Sequence, residues 1–442
     1  MTIETEKLAD LLAAAKRAGA DEADAVYFAG TSLSVSRRLG QIEHVERSEG
    51  RDLGLRVFVG ERSAIVSAPG LDPATFDDIA ERAIAMARLV PPDPLSGLLD
   101  VVAIPPLDLD MEDQAEPDAA MLGLRAGEAE DAALAVPGIT NSEGADASYS
   151  RSEAVLVTSR GFAGSYRRTG YSISATALAG SGTGMQRDYD YTSAVHQADL
   201  DDPARIGRSA AERALARLNP TRPKTSKLTV VYDPRVSASL VGHLAGAVNG
   251  AGIARGTSFL REKMGERIFA SGITIRDDPH RRRGLRSRPF DGEGQPTVPL
   301  DIIADGVLKT WVLDSRSAKQ LGLKTTGSAS RGTSGPPGPS TSNLYLAAGS
   351  LSPEDLMADI KEGLYVTELI GSGINGITGD YSRGAAGFMI RDGKLAEPVA
   401  EITIADNLIG MFARLVPAND LRFLRGTDAP TIRIDDMTLA GA

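Results

Sequence analysis

The sequence contains no cysteine, which excludes disulfides, thiolate nucleophiles, iron–sulfur clusters and cysteine-ligated zinc. Aromatic residues make up only 5% of the chain, and there are four histidines in 442 residues. No apolar run approaches the roughly 18 residues of a membrane helix, and the charged N-terminal stretch lacks the apolar core of a signal peptide. Because a chain without cysteine fits a reducing compartment, we expect a cytoplasmic protein with no membrane partner.

The formal net charge is −11 and the isoelectric point is about 5.1. Such an acidic chain lacks the surplus of Lys and Arg that non-specific nucleic-acid binding requires, so we expect no nucleic-acid partner. One segment has the opposite charge, namely "HRRRGLRSR" (His280–Arg288). Its charge pattern favours a solvated loop, and the alternative is a patch for an acidic peptide or a partner subunit.

Hydrophobic periodicity in the first half predicts helices that alternate with antiparallel strands. Apolar residues at helical spacing predict four helices, which begin near Ile3, Asp72, Asp118 and Asp202. Alternation at period two predicts the strands between them. The irregular, proline-rich stretch from 90 to about 117 predicts a strap across the surface of this part of the chain.

A chain of this length usually exceeds one hydrophobic core, so we expect two domains. The boundary is predicted in "LNPTRPKTSK" (Leu218–Lys227), which has two prolines and no periodicity. We predict an N-terminal α+β domain over 1–222, with an antiparallel sheet and helices. We also predict a strand-rich, barrel-like or sandwich domain over 223–442, with a hairpin turn at Asp392–Gly393. The fold class is therefore α+β.

The histidines are the first candidates for metal or acid–base chemistry. No two of them lie within reach along the chain: His44, His196, His243 and His280. A zinc helix of the H-E-x-x-H type needs two histidines and a carboxylate, whereas the helical segment "SLVGHLAGAVNGAG" (Ser239–Gly252) carries His243 alone. The favoured interpretation of His243 is an ordinary hydrogen-bonded helix residue.

Serine and glycine motifs are equally weak. Ser258, in "GTSFLREK", stands where a helix start would explain it as an N-cap, and no base for a serine nucleophile is identifiable. The segment "GSGINGITG" (Gly371–Gly379) lacks the Lys-Ser/Thr of a phosphate loop, which favours turns. The polar loop "GTSGPPGPSTSNLY" (Gly332–Tyr345) is expected to lie extended over a cleft or to hold a partner.

Several segments, taken in order, resemble the TldD/PmbA family, also called peptidase U62-like proteins or modulators of DNA gyrase. They include "GQIEHVERSEGRDLGLRVFVGERSAIVSA", "GMQRDYDY", "GTSFLREKMGERIF" and "GDYSRGAAGFMIRDGKLAEPVAEITIADNL". The resemblance covers nearly the whole chain. Within the family, the sequence resembles the PmbA/TldE branch more specifically. It implies an α+β N-terminal half, a strand-rich C-terminal half, and a pair of related subunits that form a heteromeric peptidase.

In the catalytic TldD branch, the resemblance implies that a helix carries H-E-x-x-x-H and that a late cysteine completes the metal site. The matching helix here is "VGHLAGA" (Val241–Ala247). Gly242 stands in place of the first histidine, His243 in place of the glutamate, and Ala247 in place of the second histidine. The late cysteine falls within "IGSGING", which contains none. The resemblance therefore implies no catalytic residue and no metal ligand in this chain.

The resulting hypothesis is a non-catalytic subunit of a metal-dependent peptidase that acts on unfolded or leader peptides in extended form. Zinc is expected in a TldD-like catalytic partner, and a homodimer is expected without that partner. The alternatives are an autonomous hydrolase with unidentified catalytic residues and a regulatory binding protein. The helix is interpreted as a former site that packs inside the domain or against a partner. Five residues are expected to line a cavity or interface: His243, Asn249, Ser258, Tyr381 and Arg383.

Overall fold

The computed structural model describes residues 2–442. In the N-terminal half, helices and strands follow the predicted order. They are α1 (Ile3–Ala18), β1 (Glu22–Arg38), β2 (Gln41–Val59), β3 (Arg62–Pro69), α2 (Phe76–Leu89), α3 (Ala119–Leu134), β4 (Ile139–Thr158), β5 (Ala163–Ala179), β6 (Gln186–Ala194) and α4 (Pro203–Ala216).

Local signals explain where these helices begin and end. Thr2 caps α1 by accepting a hydrogen bond from the backbone of Thr5, and Gly19 ends α1 with φ of 108°, a conformation that favours glycine. Asp118 and Asp202 cap α3 and α4 in the same way. The four predicted helices are therefore confirmed; Asp72 first caps a single 3₁₀ turn that leads into α2.

The six strands form one antiparallel sheet in the order β3-β2-β1-β4-β5-β6. Tyr27 of β1 packs in the core under α1 and α2, and Val35 packs in the core under α3 and α4. These residues are eight positions apart on an alternating strand, so all four helices cover the same face. The opposite face packs against the C-terminal half, where Phe290 contacts Phe162 at a centroid distance of 5.1 Å.

Helices α3 and α4 approach each other very closely at Gly207. A Cβ atom on Gly207 would stand 1.8 Å from the carbonyl oxygen of Ala129 and 3.0 Å from the amide nitrogen of Ala133. Real Cβ atoms do not occur at such a distance from backbone, so this crossing requires glycine at position 207.

The strap from 90 to 117 contains no helix or strand, as predicted. It contacts more than the N-terminal sheet. The backbone of Arg283 donates to the carbonyl of Leu109 at 2.8 Å, and the side-chain amide of Gln295 donates to the carbonyl of Asp100 at 3.0 Å. The strap therefore ties the N-terminal half to the C-terminal half.

The C-terminal half is rich in short strands. Its elements are β7 (Ser226–Tyr232), α5 (Pro234–Ala247), α6 (Gly250–Ala254), β8 (Ile275–Asp277), β9 (Leu300–Ala304), β10 (Val307–Leu308), α7 (Ser315–Leu321), β11 (Ala329–Ser330), β12 (Gly338–Pro339), β13 (Leu344–Leu346), α8 (Pro353–Met357), β14 (Glu362–Ile374), β15 (Asp380–Arg391), β16 (Lys394–Asn407), α9 (Leu408–Arg414), β17 (Val416–Pro417), β18 (Thr427–Asp428) and β19 (Ile432–Ala440).

Five of these strands close into a barrel. The order is β16-β15-β14-β7-β19, and β19 pairs back onto β16 between Thr403 and Ala440. A second sheet follows the order β10-β9-β8-β13-β18. The predicted hairpin joins β15 to β16, with positive φ at both Asp392 and Gly393. The α+β class and the barrel-like C-terminal part are confirmed, while the division at residues 222 and 223 stays a prediction.

The arginine-rich segment His280–Arg288 is not a solvated loop, so that interpretation is wrong. It lies between the two halves, where Arg283 forms an ion pair with Asp110 of the strap at 2.6 Å. Its Ser287 is fully buried. Two of its arginines, Arg282 and Arg283, are held there by ion pairs with the acidic side chains of the strap.

Across residues 2–442, no helix combines the length and apolar character that crossing a membrane requires.

Candidate functional site

Helix α5 carries the residues that the sequence singled out. Asp233 caps its first turn by accepting from the backbone of Arg235 at 2.9 Å, and Pro234 occupies the first helical position. Leu240, Leu244 and neighbouring apolar residues anchor one face of α5 in the largest core. The position of the helix is therefore fixed by packing against the barrel.

Gly242, His243 and Ala247 occupy the positions that match the metal-binding helix of the catalytic branch, and they do not lie on one face of α5. Gly242 is exposed, and nothing lies within 4 Å of the point where a Cβ atom on it would stand, whereas Ala247 is buried in the core. Five residues correspond to about 140° around a regular helix, which explains the divergence. Gly246 is equally open. The helix therefore packs inside the domain through its apolar face, whereas Gly242 and Gly246 lie on a face that meets no other backbone among residues 2–442.

His243 lies between these faces and is partly buried against the barrel strand β15. Its ring meets the ring of Tyr381 edge-on, with centroids 6.1 Å apart. The Nε2 atom of His243 and the hydroxyl of Tyr381 are both buried, and neither has a hydrogen-bond partner among the described residues. The hydrogen bond expected of His243 is therefore not made by its Nε2 atom. Arg383 is two residues beyond Tyr381 and on the same face of β15.

Burial, assisted by the positive charge of Arg383, lowers the pKa of His243 from 6.5 to about 4. The imidazole is therefore neutral at physiological pH. A neutral ring beside an arginine and a tyrosine can donate or accept one hydrogen bond, but no carboxylate orients it among the contacts of these residues. This cluster of His243, Tyr381 and Arg383 lacks the partner that general-base chemistry would require.

Ser258 lies at the C-terminal end of α5. Its hydroxyl donates to the carbonyl of Ala247 at 2.5 Å and accepts from the backbone of Leu260 at 3.1 Å. The chain makes turns after Ser258, so the predicted helix start there is wrong. The late glycine segment packs beside it, because the backbone of Phe259 donates to the carbonyl of Gly376 at 3.1 Å.

Asn249 is directed elsewhere. Its side chain caps α6 and donates to the carbonyl of Pro339 at 2.8 Å. It therefore holds the polar loop Gly332–Tyr345, which lies against the N-terminal sheet: a Cβ on Gly54 would meet Thr333 at 2.4 Å. The structure thus groups His243 with Tyr381 and Arg383, and it separates Asn249 from them.

Sequence reasoning missed a cavity of about 360 Å³ at the first turns of α5. It is lined by Ser239, one turn before His243, by Glu368 of β14, and by Asp188 of β6. Arg217 and Arg235 bind Asp188 at 3.5 and 2.6 Å, so the charges at this junction are paired. The only sequence signal was the segment "GMQRDYDY", which places charged and aromatic residues together.

Comparison with known proteins identifies the fold and family. Models of the PmbA/TldA metallopeptidase match along the chain: domain 1 over 23–87, the central domain over 104–218 and the C-terminal domain over 225–441. The metalloprotease PmbA of Escherichia coli O157:H7 is 38% identical over 427 residues, covering 95% of this chain and 92% of that protein. The chain belongs to the PmbA/TldD family. The PmbA homolog of Haemophilus influenzae is 33% identical over 93% of the chain and 90% of its own length.

Two solved structures superpose on nearly the whole chain. A candidate modulator of DNA gyrase from Bacteroides thetaiotaomicron superposes with a TM-score of 0.91 at 28% identity and covers 100% of both chains. TldE from Thermococcus kodakarensis superposes with a TM-score of 0.88 at 21% identity, over 98% of this chain and 100% of its own. At that identity the second likeness establishes the fold alone.

The metal implied by the name metallopeptidase does not fit the residues of this PmbA/TldD chain. Residues 2–442 contain no group of three His, Cys, Asp or Glu side chains that could hold a metal ion. The carboxylate closest along the α5 segment, Asp233, already caps the helix and accepts from the hydroxyl of Tyr365 at 3.1 Å. His243 alone provides one ligand where a zinc site needs three or four.

The lowered pKa of His243 predicts a pH-dependent stability. The unfolded chain takes up a proton at His243 below about pH 6.5, but the folded chain does so only near pH 4, so stability present above pH 6.5 is lost as the pH falls. Because the ring is partly exposed, we expect a loss of roughly 1–2 kcal/mol over this window. Urea unfolding of the wild type and His243→Gln at several pH values measures it.

The matched control is His44→Gln, because His44 is exposed on β2. The His243→Gln variant is expected to show a shallower pH dependence than the wild type, and His44→Gln the same dependence as the wild type. Parallel curves for the wild type and His243→Gln would contradict the burial argument.

Proposed function

We propose that this chain is a non-catalytic, PmbA/TldE-like subunit of a heteromeric metallopeptidase. A TldD-like partner would hold the zinc and perform the hydrolysis, and unfolded or leader peptides in extended form would be the substrates. In this assembly the chain stabilises the catalytic partner and shapes access to its site. A cysteine-free sequence favours the cytoplasm as the location.

The observation that carries this proposal is the geometry of α5. The helix is regular and anchored in the core, and positions 242 and 247 lie on different faces of it. Of Gly242, His243 and Ala247, only His243 has a side chain that could bind a metal ion. The chain keeps the family fold, and the residues at these three positions supply at most one metal ligand, which supports a role other than hydrolysis.

The competing function is a metalloprotease that acts alone, which the name of the E. coli relative favours. Such an enzyme would need its metal ligands from residues that come together only in another assembly or conformation. A chain that acts alone and a chain that needs a partner differ in one property that can be measured directly, namely the activity of the purified chain.

We expect the purified chain to contain substoichiometric zinc and to leave an unstructured reporter peptide intact. Adding a catalytic companion from the same genome, carrying H-E-x-x-x-H, should produce hydrolysis, because that chain supplies the ligands and base that this one lacks. Elemental analysis and mass spectrometry of the peptide measure the two properties. The control is the companion with its glutamate replaced by glutamine, which should remain inactive in the mixture.

Two outcomes would contradict the proposal. Stoichiometric zinc together with hydrolysis by the lone chain would establish the autonomous enzyme. If the companion is fully active alone and its activity does not change when this chain is added, this chain is not a subunit of the peptidase.

A further inference from the structure

A second cavity, of about 390 Å³, lies between the two halves, and no residue of α5 lines it. Its walls come from the end of β6, from the arginine-rich segment and from the turn before β18. Four arginines line it: Arg281, Arg282, Arg283 and Arg422. We call it the arginine cavity. Its volume is within the range of small-ligand sites.

Three of the four arginines are already neutralised. Arg282 pairs with Asp110 at 3.0 Å, and Arg283 pairs with Asp110 at 2.6 Å and with Asp199 at 3.0 Å. Arg422 pairs with Asp201 at 2.7 Å. These three guanidiniums hold the strap and the β6–α4 connection against the C-terminal half. Because carboxylates of the chain already neutralise them, they are poorly placed to pair with a ligand.

The acidic residue on the opposite wall is also satisfied. The carboxylate of Asp428 accepts hydrogen bonds from the backbone of Leu424 at 3.0 Å and from the backbones of Arg425 and Gly426 at 3.1 Å. It therefore shapes the turn before β18. Its oxygens are engaged by its own turn, and it forms no direct ion pair with Arg281 among residues 2–442.

Arg281 is different from the other three. It makes no ion pair and no side-chain hydrogen bond with the residues from 2 to 442. Its guanidinium lies over the ring of Phe423, with Cζ 3.3 Å from the ring centroid, and Tyr345 packs edge-on against Phe423 with centroids 5.1 Å apart. Aromatic stacking therefore orients the guanidinium and leaves its N–H donors facing the cavity.

A half-buried guanidinium that makes no ion pair is costly, because burial removes water without supplying a direct partner. Burial lowers the pKa of Arg281, and the more distant charges of Asp278 and Asp428 oppose this only in part; the side chain stays charged. An anion in the cavity would accept the unused N–H donors in a charge-assisted pair. A single free guanidinium balances one negative charge, which matches a carboxylate better than a doubly charged phosphate.

We propose that the arginine cavity binds the C-terminal carboxylate of a peptide, with Arg281 as the pairing cation and Phe423 as the wall that orients it. The preceding apolar side chain of the peptide lies against the aromatic surface beside Arg281. The inference concerns the isolated chain, so it does not depend on the proposed function as a subunit.

The test is calorimetric titration of the full chain with N-acetyl-phenylalanyl-leucine, and with its C-terminal amide as the uncharged comparison. The free acid is expected to bind at least about tenfold more tightly than the amide, equivalent to about 1.4 kcal/mol. Arg281→Gln is expected to lose at least about tenfold in affinity for the acid and nothing for the amide.

The matched control is Arg255→Gln, which removes the same charge from an exposed position at the end of α6. It should bind the acid as the wild type does. Phe423→Leu provides a second variant that keeps the arginine but removes the stacking, and it should weaken binding of the acid severalfold. Circular dichroism establishes that each variant is folded.

Equal binding of acid and amide, or full affinity in folded Arg281→Gln, would overturn the inference. Inorganic phosphate serves as the competitor. If phosphate binds more tightly than the dipeptide and displaces it through Arg281, the cavity is a phosphate site and the assignment to a carboxylate is wrong. Failure of phosphate to displace the dipeptide at equal concentration supports the carboxylate.

Discussion

Replacing Asp24 by asparagine is expected to lower the free energy of unfolding by about 3–5 kcal/mol, because it breaks a buried ion cluster. Asp24 is fully buried in the N-terminal sheet. Its carboxylate accepts from Arg56 of the neighbouring strand and, at 2.6 Å, from Arg331 of the C-terminal half. The substitution leaves two buried guanidiniums without a counter-ion at the junction of the two halves.

The pKa shifts of Asp24, Arg56 and Arg331 also indicate that Asp24 stabilises the folded state. Burial alone would raise the pKa of Asp24, but the charges of Arg331 and Arg56 outweigh burial and hold it below 3.8. Burial lowers the pKa of both arginines. The charge of Asp24 outweighs burial for Arg56 but not for Arg331, whose Nε and Nη2 have no hydrogen-bond partner among residues 2–442. Because the pKa of Asp24 is depressed, its contribution is present above about pH 3.8 and is lost in stronger acid.

Urea unfolding at neutral pH measures the effect of Asp24→Asn. The matched control is Asp77→Asn, which breaks the exposed ion pair with Arg17 and should change stability by less than about 1 kcal/mol. Replacing the whole cluster by Asp24→Leu, Arg56→Met and Arg331→Met should recover much of the loss, since no charge is then left unpaired. A single Asp24→Asn variant as stable as the wild type would refute the argument.

The second large effect is expected for Gly207→Ala, which should cost about 3 kcal/mol. The added methyl group would meet the backbone of Ala129, which cannot move aside as a side chain can. Helices α3 and α4 must then separate, and the core beneath them opens. Thermal or urea unfolding of the variant measures the loss.

Gly242→Ala is the matched control for Gly207→Ala, because both are glycine-to-alanine changes within helices. Position 242 is exposed with nothing within 4 Å, so alanine should raise stability by about 1 kcal/mol through helix propensity alone. Opposite signs for the two substitutions are expected. A destabilised Gly242→Ala variant would show that the α5 face is more crowded than the structure describes.

The helices and the hairpin could be predicted from sequence because their signals are local. Asp118 and Asp202 cap helices, Gly19 ends one, and Asp392–Gly393 forms a turn, all within a few residues of chain. The barrel class was predictable from strand content and family resemblance. Its closure by β16 and β19 was not, because pairing between distant strands leaves no local signal.

The candidate site was predictable only in part. The lack of a complete metal-ligand set on α5 can be read from the identities of Gly242, His243 and Ala247. The contact of His243 with Tyr381 depends on the barrel bringing β15 to the helix, which periodicity does not show. The loop at Arg281–Arg283 was misinterpreted because a run of like charges favours solvent, and its acidic partners lie more than 80 residues away.

The closure of the barrel has a consequence for how the chain folds as it is synthesised. The N-terminal sheet is complete once β6 has been made, so this half can fold early. Strand β7 must wait for β19, since Tyr232 contacts Met437 only 205 residues later. At about 5–20 residues per second, ribosomes need roughly 10–40 s to make that stretch. During this interval a buried-type strand has no partner on that edge, so we expect the nascent C-terminal half to be the part more exposed to aggregation.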